Sequence, residues 1–252
     1  MKSCSKMKAM IFAAGVGSRL KPWTDSHPKA LVDVGGTPVL DMVINRIIAT
    51  GIRQIIINIH HFPVQIVNYV ESRCYDADII FSDESDKLLE TGGGLRKVLD
   101  LLDNEPVLLH NADILTDFPL NEMIETHFTK KSDITLLTQS RKTSRYFVFN
   151  NQRMKGWTNV DTGRIRPEGT LISDQDNLRA FNGIHILNPQ AYSHLRTFMP
   201  DETPFSIVDF YIQYCNLLDI SSFELTEKYS WFDIGKPQTL DNARNFYSKI
   251  SV

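Results

Sequence analysis

Residues 38–59, PVLDMVINRIIATGIRQIIINI, contain the two patterns that decide the fold class. In PVLDMVINRIIATG (38–51) apolar residues recur at helical spacing, and Gly51 marks the end of the predicted helix. RQIIINI (53–59) is a continuous apolar run, which is typical of a strand that is buried on both faces. A helix that leads directly into such a strand predicts one unit of an α/β fold.

The same alternation extends in both directions from this unit. Strands are predicted at KAMIFAA (8–14), ADIIFS (77–82), PVLLHNAD (106–113) and DITLLTQ (133–139), and helices at FPVQIVNYVESR (62–73) and GGLRKVLDLLD (93–103). The pattern predicts a mostly parallel, Rossmann-like mixed sheet that is flanked by helices. Because ligands of such sheets bind beyond the carboxyl ends of the strands, the loops at those ends are the candidate sites.

After residue 140 the pattern changes. RYFVFNNQRMKGW predicts a hairpin that turns at Asn150 and Asn151. Further strands are predicted at RAFNGIHIL (179–187), SSFEL and YSWF, and helices at 205–218 and 236–250. No linker or internal repeat interrupts the chain, so we expect one domain over residues 1–252.

Composition excludes several classes of protein. The 252 residues are 42% hydrophobic and 23% charged, with a net charge of -3 and no long basic run, so we expect no nucleic-acid partner. Cys4, Cys74 and Cys215 show no metal-like spacing, which fits a reducing compartment. No run approaches the roughly 18 apolar residues of a membrane span. The N-terminal MKSCSKMKAMIFAAG continues into a glycine-rich loop rather than a cleavage site, so we expect a cytoplasmic protein without a membrane partner.

The loop after the first strand has the residues that a triphosphate requires. Within FAAGVGSRLKPWTDSHPKAL (12–31), Gly15 and Gly17 allow close approach of a ligand, and their amides with that of Ser18 can form an anion-binding nest. Arg19 and Lys29 add two positive charges. A tight turn with solvated basic residues is the alternative, because a glycine pair alone is weak evidence.

Two common phosphate motifs are absent from this loop. The chain has no G-x-x-x-x-G-K-[ST] sequence, and Leu20 stands at the third glycine position of G-x-G-x-x-G. GVGSRLKPWTDSHPKAL instead resembles the G-x-G-[ST]-R-(x)n-P-K signature of sugar-1-phosphate nucleotidyltransferases. The resemblance continues, in the family's order, through LLETGGG (88–94), HNAD (110–113), FNGIHIL (181–187) and WFDIGKPQTL (231–240).

The resemblance implies a GT-A-like nucleotidyltransferase fold that joins a nucleoside monophosphate from an NTP to a sugar 1-phosphate. The nucleotide-binding part would span about residues 7–140 and the sugar-binding part about residues 141–252. The ETGGG loop is similar to that of bacterial N-acetylmuramate-1-phosphate uridylyltransferases, which implies UTP and an amino-sugar phosphate. Mannose 1-phosphate with GTP, and CTP or dTTP reactions, stay open, and a monomer or small homo-oligomer is expected.

The resemblance also implies roles for individual residues. Arg19 would hold the triphosphate and stabilise the transition state, and Lys29 would bind phosphate. Asp113 and Asp233 would hold Mg²⁺. The residues that would contact the nucleotide are Ala13, Ala14, Gly15, Gly17, Ser18, Thr91, Gly92 and Gly93, with Thr91 to Gly94 closing around the base and ribose. Asn182 and Gly183 would lie near the sugar.

Both aspartates also suit a metal on chemical grounds. Mg²⁺ prefers carboxylate oxygens. Asp113 follows an apolar strand, where ligands bind, although aspartate is also a common turn residue there. Asp233 lies among Trp231, Phe232 and Ile234 and needs a partner, which could equally be a salt bridge or a helix cap.

The chain departs from larger relatives at the sugar phosphate. It has no E-K-P motif; RPEG (166–169) is the nearest sequence, and Glu168 is the candidate sugar contact. Asp76-Ala77-Asp78 matches the D-x-D of metal-dependent glycosyltransferases, but it precedes its strand, which favours a solvated turn. His60 and His61 are adjacent and face opposite sides, which favours loop histidines over one metal site. SDESD (82–86) predicts a solvated loop that moves when nucleotide binds.

These residues predict direct in-line attack of the sugar phosphate on the α-phosphorus. The nucleophile is already an anion, so neither a covalent intermediate nor a general base is required, and catalysis consists of positioning and charge neutralisation. A GT-A glycosyltransferase and a catalytically idle subunit that senses nucleotide-sugars are the alternative functions. Retention of Arg19, Lys29, Asp113 and Asp233 favours an enzyme over the idle subunit.

Overall fold

The computed structural model describes residues 6–249. Cys4 and the last residue of the predicted closing helix, residue 250, lie outside the described residues. The strands are β1 (Lys8–Phe12), β2 (Asp33–Val34), β3 (Thr37–Pro38), β4 (Gln54–Ile59), β5 (Asp78–Asp83), β6 (Val107–Asn111), β7 (Ile114–Thr116), β8 (Ile134–Gln139), β9 (Arg145–Asn150), β10 (Arg153–Asn159), β11 (Arg164–Arg166), β12 (Asn177–Leu187), β13 (Ile220–Glu224) and β14 (Trp231–Asp233). The α-helices are α1 (Val39–Ala49), α2 (Pro63–Glu71), α3 (Glu90–Lys97), α4 (Leu120–Lys130), α5 (Tyr192–Thr197), α6 (Ile207–Tyr214) and α7 (Pro237–Tyr247).

A ten-stranded sheet joins the two halves of the chain, in the order β11-β10-β13-β8-β12-β6-β1-β4-β5, with β9 paired to both β10 and β12. Strands β5, β4, β1 and β6 run parallel, as predicted. Strand β12 is antiparallel to β6, β8 and β9, and β10 is antiparallel to its neighbours β9, β11 and β13. The sheet is therefore mixed rather than mostly parallel, because a hairpin and a long reversing strand build its second half.

Helices cover both faces of this sheet. On one face α1 buries Val39, Leu40, Val43, Ile44 and Ile47, which its helical spacing places on one side. On the other face α3 and α6 bury Leu95 and Phe210, among others. A strand that is covered on both sides must be apolar throughout, which explains the continuous run of β4. Within the described residues no helix is long and apolar enough to cross a membrane.

Several element boundaries differ from the predicted ones. α6 begins at Ile207 rather than residue 205, because the Ser206 hydroxyl caps it by accepting from the Val208 amide at 3.2 Å. The hairpin turns at Asn151 and Gln152, one residue later than predicted, with positive φ at both. α4 was not predicted, although Leu120, Met123, Ile124 and His127 form its buried face.

A second, two-stranded sheet positions the candidate site. β14 pairs antiparallel with β7, so that Asp233 lies opposite Ile114. The Ile234 amide also donates to the Asp113 carbonyl at 3.0 Å. This pairing brings the WFDIG segment, which is distant in sequence, to the carboxyl end of β6.

Candidate functional site

A cavity of about 450 Å³ opens at the carboxyl ends of β1, β4 and β6. Nine residues that the sequence predicts for the site line it: Ala13, Ala14, Gly15, Gly17, Ser18, Arg19, Lys29, Thr91 and Asp113. Gly235 also lines the cavity, and its amide donates to Asp233 Oδ1 at 2.9 Å. The cavity lies where the strand topology predicted that ligands bind.

Asn58 holds the start of the glycine-rich loop. Its Oδ1 accepts from the amides of Ala13 at 2.8 Å and Ala14 at 3.3 Å, and its Nδ2 donates to Glu84 Oε1 at 2.8 Å. The amides of Ala13 and Ala14 are therefore already bonded within the protein. Within residues 6–249 the amides of Gly15 and Gly17 bond no protein acceptor, so they remain free for an anion.

Gly235 is the point around which the charged residues meet. A Cβ atom there would lie 2.8 Å from Asp233 Oδ1, 2.9 Å from Lys29 Nζ and 3.0 Å from Arg19 Nη2. Lys29 Nζ also donates to Asp113 Oδ2. Two cations and two carboxylates thus form one cluster at the edge of the cavity, and a side chain at position 235 would displace them.

The carboxylate pair fits a magnesium site of the kind that shares its ion with a substrate. Among the described residues, no group of three or more His, Cys, Asp or Glu side chains could hold a metal on its own. Mg²⁺ is commonly bound by one or two carboxylates, with phosphate and water oxygens completing the shell. Asp113 and Asp233 supply hard oxygen ligands of that type, next to the loop whose free amides face the cavity.

The glycine run after Glu90 lies inside a helix that starts earlier than the predicted residue 93. α3 begins at Glu90, and the amides of Gly92 and Gly93 donate to the Phe205 carbonyl at 2.8 and 3.3 Å. Gly92 and Gly93 are not part of the cavity lining, and their contact with the nucleotide stays a prediction. Thr91 does line the cavity, and its hydroxyl accepts from the Ile207 amide at 3.0 Å.

The predicted sugar residues divide into two groups. Asn182 and Gly183 are buried on β12 beside the cavity: Asn182 Oδ1 accepts from Arg141 Nε at 3.4 Å, and Gly183, at φ 76°, lies against Asn111. Asn182 Nδ2 has no partner among the described residues. Glu168 is exposed in the turn after β11 and is not part of the cavity lining.

The remaining acidic and histidine motifs have structural partners. Asp76 accepts from Arg53 Nε at 3.0 Å before β5, away from the carboxyl ends of the strands. His60 Nδ1 lies 2.7 Å from the Glu84 carbonyl, and His61 Nε2 lies 2.9 Å from the Thr24 carbonyl. Both histidines therefore tie loops together, as the loop interpretation predicted.

The SDESD segment is anchored by Glu84, which the prediction of a solvated loop did not foresee. Glu84 is buried, and its Oε2 accepts from the Leu89 amide at 2.9 Å while Oε1 binds Asn58. Asp83 remains exposed, and hydrogen bonds from the Ser85 hydroxyl and amide lower its pKa. The loop is thus fixed at one residue, directly beside the cavity.

Sequence reasoning also missed Asn58 and Arg141. Asn58 is a polar residue within the buried part of β4, and that interruption of RQIIINI was an available signal. The Arg141 guanidinium lies 4.4 Å from the centre of the Trp231 ring and donates to the Phe181 carbonyl at 3.0 Å. Burial lowers the pKa of Arg141, and the nearby Asp233 carboxylate opposes that shift. No local pattern marked this arginine.

Comparison with known proteins agrees with this arrangement. The Nucleotidyl transferase family matches residues 8–250. N-acetylmuramate alpha-1-phosphate uridylyltransferases of Caulobacter vibrioides and Neisseria meningitidis serogroup B are 37% and 39% identical over 108 and 121 residues, 42% and 48% of this chain. A mannose-1-phosphate guanyltransferase of Yarrowia lipolytica is 28% identical over 92% of the chain.

The matched segments span 45% and 52% of the two uridylyltransferases and 61% of the guanyltransferase. Among solved structures, UDP-glucose pyrophosphorylase complexed with UDP-glucose has a TM-score of 0.77 at 17% identity, covering 97% of this chain and 99% of that one. HddC from Yersinia pseudotuberculosis complexed with GMP-PN has a TM-score of 0.71 at 19% identity, covering 95% and 99%. These structures share the fold.

Proposed function

The chain belongs to the nucleotidyl transferase family, and on that premise we propose that it transfers a nucleoside monophosphate from an NTP to a sugar 1-phosphate and releases pyrophosphate. The observation that carries the proposal is the cluster of Arg19, Lys29, Asp113 and Asp233 around Gly235. It lies beside a loop with free amides, at the carboxyl end of a parallel sheet. Such an arrangement suits two phosphate groups that must be brought together.

The residues of the cavity act by positioning and by neutralising charge. The free amides of Gly15 and Gly17 would bind phosphate oxygens, and Arg19 would hold the triphosphate where negative charge develops. Lys29 pairs with Asp113 and would also bind phosphate. Asn58 fixes the loop, so the amides are arranged before the substrate arrives.

A bound Mg²⁺ would be held by Asp113 and Asp233 and would neutralise phosphate charge. The attacking oxygen of a sugar phosphate is already an anion. Arg19 and Lys29 would therefore offset the electrostatic repulsion between the anionic acceptor and the triphosphate. No side chain has to remove a proton.

For the substrates we propose UTP and N-acetylmuramic acid 1-phosphate. Support comes from the two uridylyltransferases, which have the highest identities among the relatives described above. A mannose-1-phosphate guanylyltransferase is the second candidate, because the guanyltransferase of Yarrowia lipolytica aligns over 92% of the chain. The retained charged cluster weighs against a catalytically idle subunit, and the Arg53–Asp76 pair weighs against a D-x-D glycosyltransferase.

A pyrophosphate-release assay tests this proposal. UTP, GTP, CTP, dTTP and ATP are crossed with N-acetylmuramic acid, N-acetylglucosamine, glucose and mannose 1-phosphates in the presence of Mg²⁺. We expect release only when an NTP and a sugar phosphate are both present, with UTP and N-acetylmuramic acid 1-phosphate giving the highest kcat/KM. No release from any combination by folded protein contradicts the proposed reaction, and release with GTP and mannose 1-phosphate alone contradicts the proposed substrates.

A further inference from the structure

A second cavity, of about 630 Å³, lies between α6 and the sheet face formed by β9, β10 and β11. Ser206 lines both this cavity and the first one, so the two spaces adjoin. Arg141 also lines the second cavity, and the Asp233 carboxylate of the candidate metal pair partly offsets the lowering of the Arg141 pKa by burial. The two cavities are therefore neighbours, and the second lies within one residue of a ligand in the first.

Strand register places a row of polar and charged side chains on this face. Arg145 pairs with Asn159, and Asn159 pairs with Arg164, so the three lie side by side across β9, β10 and β11. In-register neighbours project to the same side of a sheet. All three line the cavity.

The next row of the same face carries Phe147, Trp157 and Arg166, which are again in register. Residues two positions apart along a strand share a face, so both rows border the same space. The cavity therefore combines basic groups with aromatic rings, which offer apolar faces to the carbon skeleton of a sugar.

Positive charge in this cavity is not balanced by the protein. Asp209 is the acidic residue of the lining, and it is already paired with Arg166 at 2.6 Å. Within residues 6–249, Arg145 and Arg164 have no carboxylate partner, and their guanidinium groups donate no hydrogen bond to the protein. Two uncompensated guanidinium groups beside one cavity favour an anionic ligand.

We propose that this cavity binds a carboxylate on the sugar 1-phosphate, and that Arg145 and Arg164 select acidic sugars. The inference rests on the proposed nucleotidyl transfer and names the class of its acceptor: a sugar phosphate with a second anionic group. Guanidinium groups bind carboxylates through paired hydrogen bonds, which neutral hydroxyl groups cannot match. N-acetylmuramic acid has such a carboxylate on its lactyl ether, and hexuronic acids have one at C6.

Two matched pairs of acceptors test the inference with the full chain. N-acetylmuramic acid 1-phosphate is compared with N-acetylglucosamine 1-phosphate, and glucuronic acid 1-phosphate with glucose 1-phosphate, each with the preferred NTP. The readout is the ratio of kcat/KM for the acidic and the neutral member of each pair. We expect a ratio well above one in at least one pair, and that pair identifies where the carboxylate is attached.

The variant Arg145→Gln/Arg164→Gln is expected to lower this ratio by roughly 10- to 100-fold, the effect of losing a charge-assisted contact. Both side chains are exposed and bond nothing within residues 6–249, so the variant should fold. Arg53→Gln, at the amino end of β4 and paired with Asp76, is the matched control and should keep the wild-type ratio.

Two results would overturn the inference: a ratio near one in both pairs with the wild-type protein, or an unchanged ratio in the double variant, whether activity is kept or falls equally with acidic and neutral acceptors. An equal loss would mean that the arginines serve the shared phosphate or the fold. Failure of the proposed reaction gives a different result, because no pyrophosphate would then be released with any acceptor.

Discussion

Gly15 and Gly17 share one loop but are glycines for different physical reasons. Gly17 has φ 67°, and a Cβ there would lie 2.9 Å from both Lys29 Cβ and Thr24 Cγ2, so the fold itself requires glycine. At Gly15 no heavy atom beyond its two chain neighbours lies within 4 Å of the Cβ position. The space beside Gly15 is left open by the protein, and we assign it to the nucleotide.

Gly15→Ala therefore separates binding from stability. We expect its free energy of unfolding to stay within about 0.5 kcal/mol of the wild type, while the KM for the NTP rises because the methyl group enters the ligand's space. Urea unfolding and pyrophosphate-release kinetics measure the two quantities. Gly17→Ala is the matched control and should lose stability. If Gly15→Ala has the wild-type KM for the NTP, the open space is not the nucleotide site.

Arg19 and Lys21 lie two residues apart and differ in their surroundings. Arg19 Nη2 belongs to the charged cluster at Gly235, whereas Lys21 is 60% exposed and pairs with Asp25 at 2.9 Å. Arg19→Ala should lower turnover by about 100- to 1000-fold, as for the loss of one preorganised charge-stabilising donor. Asp113→Ala should nearly abolish turnover as well.

Lys21→Ala should change turnover by less than about threefold, since exposed substitutions perturb little. Circular dichroism would establish that all three variants are folded. Near-normal turnover of folded Arg19→Ala would remove this residue from the mechanism.

At the scale of elements, α3 shows how tertiary packing overrides local preference. Three consecutive glycines each cost roughly 1 kcal/mol in a helix relative to alanine, and the predicted helix started only at residue 93. The structure begins the helix at Glu90 because Gly92 and Gly93 approach the Phe205 backbone closely enough to bond it. A Cβ on Gly92 would lie 2.2 Å from Phe205 Cε2.

Gly92→Ala should lower the free energy of unfolding by about 1–3 kcal/mol through overpacking against Phe205. The double variant Gly92→Ala/Phe205→Leu removes the ring and should be more stable than the sum of the two single losses predicts. Urea unfolding of the wild type, the two single variants and the double variant completes this double-mutant cycle. Strictly additive losses would mean that the two residues do not contact each other in this way.

The pairing of β14 with β7 is the element that assembles the carboxylate pair. Asp113 follows β6, while Asp233 ends β14, and the two meet because the Ile234 amide bonds the Asp113 carbonyl. Neither strand is longer than three residues. Such short strands persist because neighbouring residues, such as the buried Phe118 and Ile234, anchor them in the core.

At the scale of the whole molecule, buried histidines link stability to pH. His110 and His185 lie in the sheet interior, where burial lowers the pKa of His110 to about 4 and that of His185 to about 3; His110 adds to the second shift. Both pKa values are below the ordinary value near 6.5. The unfolded chain therefore binds more protons, and stability declines as the pH falls below about 6.5.

Between pH 8 and pH 5, each of the two histidines should cost about 2 kcal/mol of unfolding free energy. Urea unfolding at pH 8, 6.5 and 5 measures this change. A free energy of unfolding that is constant over this range would contradict the assignment of neutral, buried imidazoles.

The sequence by itself determined the α/β class, the glycine-rich loop and the charged residues Arg19, Lys29 and Asp113 at the strand ends. These follow from periodicities and spacings within a few consecutive residues, which local sterics and burial dictate. The cytoplasmic location, the oligomeric state and the individual site roles stay predictions. The resemblance supplied Asp233, which no local pattern ties to Asp113.

Only the tertiary structure decided the direction of the second-half strands, the anchoring of Glu84 by Asn58, and the row of Arg145 and Arg164. Each depends on which distant segments become neighbours. Strand direction and register are set by the burial of whole faces and by hydrogen bonds between separate segments. A single segment therefore cannot reveal them.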